Sequence, residues 1–214
     1  MTELNNEDYE QIKNFYNDRF YAQGDCIGSV GWRDQATQFL RFERLINTLK
    51  LDNKTILDIG CGLGDLVHFL DANQVQNYRY VGIDIADKMI EQASSRFSGR
   101  DNVEFFAGDI FEFADANEHK QIDIALSSGM LSYKISDNLA HAQRVITKTF
   151  SIVHETMAFN FLSDQVDYQL DKNFHYNSLD ILGWIKPLTN KFVLDQNYPL
   201  WEFTLQVFKP GRNI

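Results

Sequence analysis

The chain has few cysteines, few prolines and a shortage of positive charge. Only two of its 214 residues are Cys and three are Pro. Cys26 and Cys61 form neither a CxxC pair nor a cluster with nearby histidines, so the sequence predicts no disulfide framework and no metal site. Lys and Arg number 20 against 30 Asp and Glu, a formal net charge of -10, and no basic cluster suits a phosphate backbone. We therefore expect no nucleic-acid partner.

Long apolar runs are also missing from the sequence. No stretch approaches the ~20 apolar residues of a membrane-spanning helix, and residues 1–8 lack the basic and apolar regions of a secretory signal. We expect no membrane partner and a cytoplasmic location. With 44% hydrophobic and 14% aromatic residues, the composition is that of an ordered globular protein. We predict a single domain over 1–214, with a helical cap over 1–50 and an α/β core over 55–214.

The first fifty residues predict two helices, because apolar and aromatic side chains recur there at three- to four-residue spacing. These positions are Tyr9, Ile12, Tyr16 and Phe20, then Phe39, Phe42, Ile46 and Leu49. A glycine-containing loop from Gly24 to Trp32 separates them. Two interpretations stay open for the aromatic residues Tyr16, Tyr21 and Trp32. They close over a ligand site and shield a cation, or they form the core of a helix pair.

From Thr55 onward, short β-rich runs alternate with helical segments, which predicts βαβ units and a mainly parallel sheet. The predicted strands are Thr55–Ile59, Tyr78–Asp84, Val103–Phe106, Ile122–Ser127 and Glu155–Phe161. The helical stripes between them are Leu63, Leu66, Val67 and Leu70; Ile90, Ala93 and Phe97; and Leu139, Ala142, Ile146, Phe150 and Val153. Each stripe is expected to cover one face of the sheet.

The C-terminal part predicts a different arrangement. A helix near Ser178–Ile185 precedes two predicted strands, Lys191–Tyr198 and Trp201–Phe208, joined by a very short turn at Pro199-Leu200. Such a turn forces an antiparallel pair. We therefore predict an α/β fold with a seven-stranded, mostly parallel sheet, helices on both faces and a terminal antiparallel hairpin.

The strongest motif lies in residues 56–66, where a buried strand runs into a turn with glycines at alternate positions, Gly60, Gly62 and Gly64. Glycine lets the backbone approach a ligand closely. The dinucleotide fingerprint G-x-G-x-x-G would place its third glycine at Asp65, where a pyrophosphate would meet a carboxylate. The spacing disfavours NAD or FAD and favours a cofactor without phosphates.

A second motif ends the next predicted strand about 20 residues after the glycine turn. Val81-Gly82-Ile83-Asp84 finishes in a carboxylate that can accept hydrogen bonds from both hydroxyls of a ribose. The other interpretation of Asp84 is a surface residue or a helix cap.

Asp58, Gly60, Gly62 and Gly64 match, position by position, the acidic-x-G-x-G-x-G motif of the class I S-adenosylmethionine-dependent methyltransferases, which this chain resembles. The resemblance covers about Thr55 to Phe161. It implies a Rossmann-like fold, S-adenosyl-L-methionine (SAM) as cofactor and S-adenosyl-L-homocysteine (SAH) as product. It also implies that Gly60 and Gly62 contact SAM through their backbone and that Asp58 orients the SAM ammonium group. Cys61, in the same turn, is expected to be a small filler.

Later strand ends extend the resemblance. Phe106-Ala107-Gly108-Asp109 is similar to the family motif after the third strand, which implies that Asp109 meets the adenine amino group. A turn-forming Gly-Asp is the alternative. The family also places apolar walls beside the adenine and backbone carbonyls of a small-residue loop against the cofactor. The positions so implied are Ile85, Ile110, Ser127 and Ser128.

The methyl acceptor is less defined by the sequence. The [DNS]-P-P-[YFW] signature of amino-group methylation on adenine or glutamine is absent, and no Pro-Cys pair offers a nucleophile for cytosine carbon. Short strings such as Phe159-Asn160-Phe161-Leu162 and His175-Tyr176 resemble a subgroup of bacterial methyltransferases that act on small molecules or saccharide precursors. This implies a small-molecule acceptor. Two other functions stay open: a SAM-binding regulatory module without turnover, and a nucleotide-dependent oxidoreductase, against which Asp65 argues.

A hydroxyl acceptor would need a general base, whereas a thiol or a neutral amine needs one less. The candidates, which are otherwise packing or surface residues, are His175, Tyr176, His154 and Tyr133. Three other histidines, His68, His119 and His141, are interpreted as ordinary surface residues.

Overall fold

A computed structural model of the chain describes residues 4–211. Two helices come first, α1 over Asn6–Gln23 and α2 over Gln35–Ile46. Each begins at a side chain that satisfies a free backbone N–H: Asn5 accepts from Asp8 N at 2.7 Å, and Asp34 accepts from Thr37 N at 2.8 Å. Both helices lie where the spacing of aromatic residues predicted them, although Leu49 lies beyond the end of α2.

Seven strands form one sheet in the order β3-β2-β1-β4-β5-β7-β6. They are β1 Thr55–Ile59, β2 Arg79–Asp84, β3 Val103–Ala107, β4 Ile122–Ser127, β5 Val153–Leu162, β6 Phe192–Asp195 and β7 Glu202–Phe208. The first five run parallel, and β7 pairs antiparallel with both β5 and β6. The predicted Rossmann-like architecture with its terminal hairpin is confirmed.

Five further helices connect the strands: α3 Asp65–Ala72, α4 Asp87–Arg96, α5 Ile110–Ala116, α6 Asn138–Ile152 and α7 Ser178–Ile185. Because side chains alternate along a strand, β1 supplies both faces of the sheet. Ile56 packs in the cluster that contains residues of α2, α3 and α4, whereas Leu57 packs in the cluster that contains residues of α5, α6 and α7. Helices therefore cover both faces.

Three details differ from the sequence-based predictions. The short helix α5 was not predicted. Val153 begins β5 instead of ending the preceding helical stripe. The hairpin connection spans residues 196–201 instead of two residues, because the chain leaves β6 at Asp195, whose Oδ1 accepts from Asn197 N at 2.9 Å in a local turn.

The sheet order reverses direction between β1 and β4, which lie side by side although β2 and β3 extend the sheet on the other side of β1. In open parallel sheets, such a switch point leaves a crevice at the carboxyl ends of the strands, where ligands bind. The glycine turn after β1 and the loop after β4 both lie at this edge. Among the described residues, no helix combines the length and apolar character needed to cross a lipid bilayer.

Candidate active site

The turn after β1 has the sharply bent backbone that its glycines predict. Gly60 and Gly62 have φ of 76° and 54°, a region that L side chains rarely adopt. A Cβ atom on Gly62 would lie 2.6 Å from Val30 Cγ1, and one on Gly60 would lie 2.6 Å from Met130 Cβ. The turn is also tied to β2, because Gly60 N donates to Ile83 O at 2.8 Å. Backbone, not side chains, therefore faces the crevice here.

Asp84 joins the glycine turn to the end of β2. Its Oδ2 accepts from Gly62 N at 2.9 Å, and its Oδ1 accepts from Ala86 N at 2.9 Å. Burial raises the pKa of Asp84 despite these hydrogen bonds. The carboxylate forms no salt bridge with any residue in 4–211, so its charge is available to a ligand.

Asp58 lies on β1 beneath the turn and is buried, with 4% of its surface exposed. Its Oδ2 accepts from the Tyr80 hydroxyl at 2.7 Å. Burial nevertheless raises the pKa of Asp58 to about 7, because the hydrogen bond offsets only part of the desolvation of the charged form. A cationic group placed beside Asp58 would favour its ionised form.

Asp109 caps helix α5 and keeps one oxygen unused. Its Oδ1 accepts from Phe111 N and Glu112 N at 2.9 and 2.8 Å, and Glu112 completes a capping box. Its Oδ2 is buried without a hydrogen-bond partner. A buried acceptor of this kind is costly unless a donor reaches it. The predicted adenine contact and the alternative turn role are thus compatible in one residue.

These groups surround a cavity of about 440 Å³ at the carboxyl edge of the sheet. Nine of the eleven residues predicted to contact a cofactor line it: Asp58, Gly60, Cys61, Gly62, Asp84, Ile85, Asp109, Ile110 and Ser128. The other two do not. Gly64 lies at the start of α3, and the Ser127 hydroxyl donates to Ile59 O at 3.0 Å within the sheet.

Helix α1 and the segment that follows it cover the cavity. The Tyr9 hydroxyl donates to Glu112 Oε2 at 3.2 Å, which attaches α1 to α5. Asn17 Nδ2 donates to Asp87 Oδ1 at 2.8 Å, which attaches α1 to α4. Tyr16 lines the cavity, and burial together with the Asp84 charge raises its pKa to about 12. Tyr21, by contrast, is 68% exposed and lies outside the cavity.

Trp32 fixes the segment between α1 and α2. Its ring lies against Gly129, where an added Cβ would come within 2.5 Å of it. The Trp32 ring also contacts Arg41, whose guanidinium carbon lies 4.2 Å from the ring centroid. Arg41 in turn pairs with Glu202 of β7, donating from Nε at 2.9 Å to both carboxylate oxygens. Trp32 therefore links the covering segment to the loop after β4 and, through Arg41, to β7.

The cavity extends beyond the residues that are predicted to contact a cofactor. This further part is largely apolar, and we call it the acceptor half. It is lined by Ile12, Phe15, Leu131, Tyr133, Ile135 and His141. The Phe15 and Tyr133 rings pack with centroids 4.8 Å apart, and Gln11 Nε2 donates to the Tyr133 hydroxyl at 3.3 Å.

Only Tyr133, of the four candidate bases, lines this cavity. The Tyr176 hydroxyl is buried and donates to Leu131 O at 3.0 Å, behind the cavity wall. His175 Nδ1 pairs with Ser163 O at 2.7 Å. His154 is exposed near the start of β5, at the opposite edge of the sheet. His175, Tyr176 and His154 are therefore not placed to take a proton from a ligand in this cavity.

The prediction that His141 is a surface residue is wrong. It is 7% exposed and lines the acceptor half, and burial lowers its pKa to about 4. The start of α1 covers it: Asp8 accepts from the Ser136 backbone N–H at 3.2 Å and from its hydroxyl, just before α6 begins. No local pattern in the sequence signals this burial, since the covering segment is about 130 residues away. His68 and His119 are exposed, as predicted.

Asn160 is a further site residue without a role in the sequence-based prediction. It is buried at the end of β5 and lines the cavity, and its Oδ1 accepts from Gly129 N at 2.8 Å. It thereby fixes the loop that follows β4. A polar residue inside the apolar second half of β5, residues 157–162, is the signal that would have indicated it.

The carboxylates of the cavity define which cofactor suits it. Asp58, Asp84 and Asp109 form no salt bridge within residues 4–211, and together they suit a ligand with a cationic group, neighbouring hydroxyls and an exocyclic amine. Asp58 lies on β1, Asp84 at the end of β2 and Asp109 at the start of α5. Within the same described residues, no group of His, Cys, Asp and Glu is arranged to hold a metal ion.

Comparison with known proteins gives a consistent result. The model of a family described as "Methyltransferase domain" matches residues 50–197. A Mycobacterium tuberculosis protein named as a methyltransferase is 27% identical over 173 residues, which are 78% of this chain and 98% of that protein. A tRNA (guanine-N(7)-)-methyltransferase of Prochlorococcus marinus is 29% identical over 140 residues, 61% of this chain and 64% of its own length.

Among solved structures, magnesium protoporphyrin IX methyltransferase from Synechocystis, crystallised with SAH, has a TM-score of 0.66 to this chain. The match covers 94% of this chain and 100% of that one, at 16% identity. At this identity the likeness concerns the fold.

Proposed function

The chain belongs to the methyltransferase domain family and is a class I SAM-dependent methyltransferase, and from this premise we propose that its methyl acceptor is a small molecule. One observation carries the proposal. The acceptor half of the cavity is a concave space with apolar walls, which α1 lines with Phe15, and to which Tyr133 and residues of the 163–177 segment such as Leu170 also contribute. A concave, largely apolar space of this size suits a compact acceptor.

We assign the cofactor contacts as follows. Asp84 accepts from the ribose hydroxyls, the unpartnered Oδ2 of Asp109 accepts from the adenine amine, and Asp58 faces the ammonium group. The backbone of Gly60 and Gly62 passes beneath the methionine part. The remaining predicted contacts that line the cavity supply its walls and backbone groups: Cys61, Ile85, Ile110 and Ser128.

SAM, when bound, supplies a methyl group on a sulfonium that is already activated for in-line displacement. The protein's residues then have three tasks. α1 and Trp32 cover the cavity and limit the access of water, Phe15 and Tyr133 orient the acceptor, and the Tyr133 hydroxyl oxygen, which accepts from Gln11 Nε2, can also accept from an O–H or N–H of the acceptor's reacting group. A thiol or a neutral amine needs a general base less than a hydroxyl does.

Methyl transfer from isotopically labelled SAM tests the proposal. The protein is incubated with labelled SAM and, in separate reactions, a low-molecular-mass metabolite extract, total tRNA and total protein. We expect label only in the metabolite fraction. Label in tRNA or protein alone would contradict the small-molecule proposal, and SAM binding without transfer to any pool would favour a regulatory module.

tRNA is the second candidate acceptor, because one relative is named as a tRNA methyltransferase. The net charge of -10 argues against it, since binding a polyanion depends on clustered basic side chains. The oxidoreductase interpretation has a specific obstacle. Asp65, at the first turn of α3, accepts from Arg96 Nη1 at 2.8 Å and so presents a fixed carboxylate where a pyrophosphate would bind.

A further inference from the structure

Two cations lie on the wall of the cavity beside the same aromatic ring. The Arg19 guanidinium carbon is 5.8 Å from the Phe15 ring centroid, and Lys172 Nζ is 5.9 Å from it. Arg19 belongs to α1, whereas Lys172 belongs to the segment between β5 and α7, so two distant parts of the chain place positive charge beside one ring. All three residues line the cavity.

Neither cation forms a salt bridge with a carboxylate in residues 4–211. Arg19 donates only to the backbone carbonyl of Gly28, and its Nε is buried without a partner. A shortage of carboxylates does not explain this, because the chain has 30 Asp and Glu against 20 Lys and Arg. The positive charge beside Phe15 is therefore a local property of the cavity.

The carboxylates that line the cavity lie elsewhere or are already paired. Asp58, Asp84 and Asp109 belong to the cofactor side, and Glu202 is paired with Arg41. Arg33, the remaining cation of the wall, is paired with Asp34: its Nε lies 2.8 Å from Asp34 Oδ2. The positive charge beside Phe15 thus rests on Arg19, which is partly buried, and on Lys172, which lines the cavity while remaining exposed.

We propose that the methyl acceptor is an anion, whose negatively charged group binds beside Phe15 in the field of Arg19 and Lys172 while its apolar part packs on Phe15 and Tyr133. This inference rests on the proposed function and specifies its substrate class. Lys172 suits the role, because an ammonium on a flexible stem adapts to a carboxylate or a phosphate in more than one position.

The carboxylate of SAM itself is the other source of a negative charge. The position of Lys172 favours the acceptor. Lys134 N donates to Lys172 O at 2.9 Å, and Tyr133 pairs with Asn173, so Lys172 is held against the acceptor half. Arg19 lies closer to the residues that are predicted to contact the cofactor. It is one helical turn from Tyr16, whose pKa is raised by burial and by the charge of nearby Asp84. Lys172 therefore distinguishes the two sources.

The test uses the full chain saturated with SAH and two probes of similar shape, benzoate and the neutral benzamide, with binding followed by NMR titration. We expect benzoate to bind about tenfold more tightly than benzamide, and K172A to abolish that preference while K172R retains it. K134A is the matched control, because Lys134 is exposed like Lys172 but does not line the cavity. It should leave both affinities unchanged.

Equal binding of the two probes, or failure of both to bind at millimolar concentration, would overturn the inference. So would a benzoate preference that K172A leaves intact. SAH affinity is measured on the same variants: a loss in K172A would assign the cation to the cofactor carboxylate and equally overturn it. Because the titration needs no turnover, its outcome is separate from that of the labelled-methyl experiment.

Discussion

Asp84 holds two structures in register at once, the glycine turn through Gly62 N and the end of β2 through Ala86 N. This dual contact explains why a carboxylate, with two oxygens and several lone pairs, stands at this position. Each of the other two cofactor-side carboxylates also has a structural hydrogen bond, Asp58 with Tyr80 and Asp109 with the start of α5. The proposed ligand contacts and local folding therefore depend on the same side chains.

Replacement of Asp84 tests its proposed ribose contact. We expect Asp84→Ala to weaken SAM binding by about 1.5–3 kcal/mol, the usual cost of losing a hydrogen bond to a charged group, as measured by calorimetry. Asp84→Asn keeps one acceptor oxygen for the turn, so it should have a smaller effect. Unchanged affinity in Asp84→Ala would rule out the ribose role.

The raised pKa of Asp58 makes SAM binding depend on pH. Between pH 7 and 5.5, Asp58 becomes protonated in the free protein, whereas a bound ammonium favours the carboxylate, so the affinity for SAM should fall as the pH is lowered. The limiting slope is about tenfold per pH unit. Calorimetry across this range measures it, and Asp58→Asn should remove the slope. A wild-type affinity that is constant from pH 7 to 5.5 would exclude this role.

The same shift has the opposite sign for the stability of the free protein. Asp58 binds its proton more tightly when folded than when unfolded, so its contribution to stability is complete below pH 3.8 and is lost as the pH rises through about 7.

At the scale of elements, the cap differs from the sheet in how it is held. The sheet is fixed by continuous backbone pairing, whereas the segment 24–34 is attached to the rest of the molecule by side-chain contacts. Trp32 contacts Gly129 and Arg41, and further contacts join Asp25 to Arg96 and Gln92 and the Gly28 carbonyl to Arg19. Segments with few contacts open more readily than a core.

Trp32→Ala should therefore release the covering segment and shorten the lifetime of bound SAM. We expect SAM to dissociate about tenfold faster in stopped-flow measurements, because the indole contributes both packing and the cation–π contact. Tyr21→Ala is the matched control, since Tyr21 is an aromatic residue of the same cap that is 68% exposed. If both variants release SAM at the wild-type rate, Trp32 does not hold the cap closed.

The elements differ in how well the sequence predicts them. Strands β1 and β4 and helix α7 have their predicted limits, because each combines a strong apolar pattern with clear flanking breaks. Helix α5 was missed since only seven residues form it and its first turn overlaps the motif around Asp109. The hairpin connection was predicted too short because Tyr198 is a residue type that favours strands. In the structure Tyr198 is buried outside β6, and its hydroxyl forms a hydrogen bond with the Thr204 hydroxyl.

At the scale of the whole molecule, the ion pair of Arg41 and Glu202 connects helix α2 of the cap to strand β7. Both side chains are buried, and the pair joins α2 to β7 across 161 residues of sequence. The sequence motifs predicted the cofactor side well, because turn geometry is local. They did not predict the acceptor half, whose walls come from α1, the 130–145 region and the 163–177 segment together. His141 is the clearest example, since only this assembly buries it.

Removing one partner of the buried pair should destabilise the fold. Arg41→Met leaves Glu202 charged and buried, so we expect a loss of about 3 kcal/mol in the free energy of unfolding, measured with urea. Lys88→Met breaks the exposed pair with Glu91 and should cost less than about 1 kcal/mol. Equal effects of the two variants would show that the Arg41–Glu202 pair contributes no more than a surface pair.

The central claim is that SAM lies over the glycine turn after β1, with its methyl group directed into the space beside Phe15 and Tyr133. A crystal structure of the chain with SAH tests this most directly. We predict the ribose within hydrogen-bond distance of Asp84, the adenine amine at Asp109 Oδ2 and the sulfur facing the acceptor half. SAH bound elsewhere, or a sulfur turned away from Phe15 and Tyr133, would contradict the account.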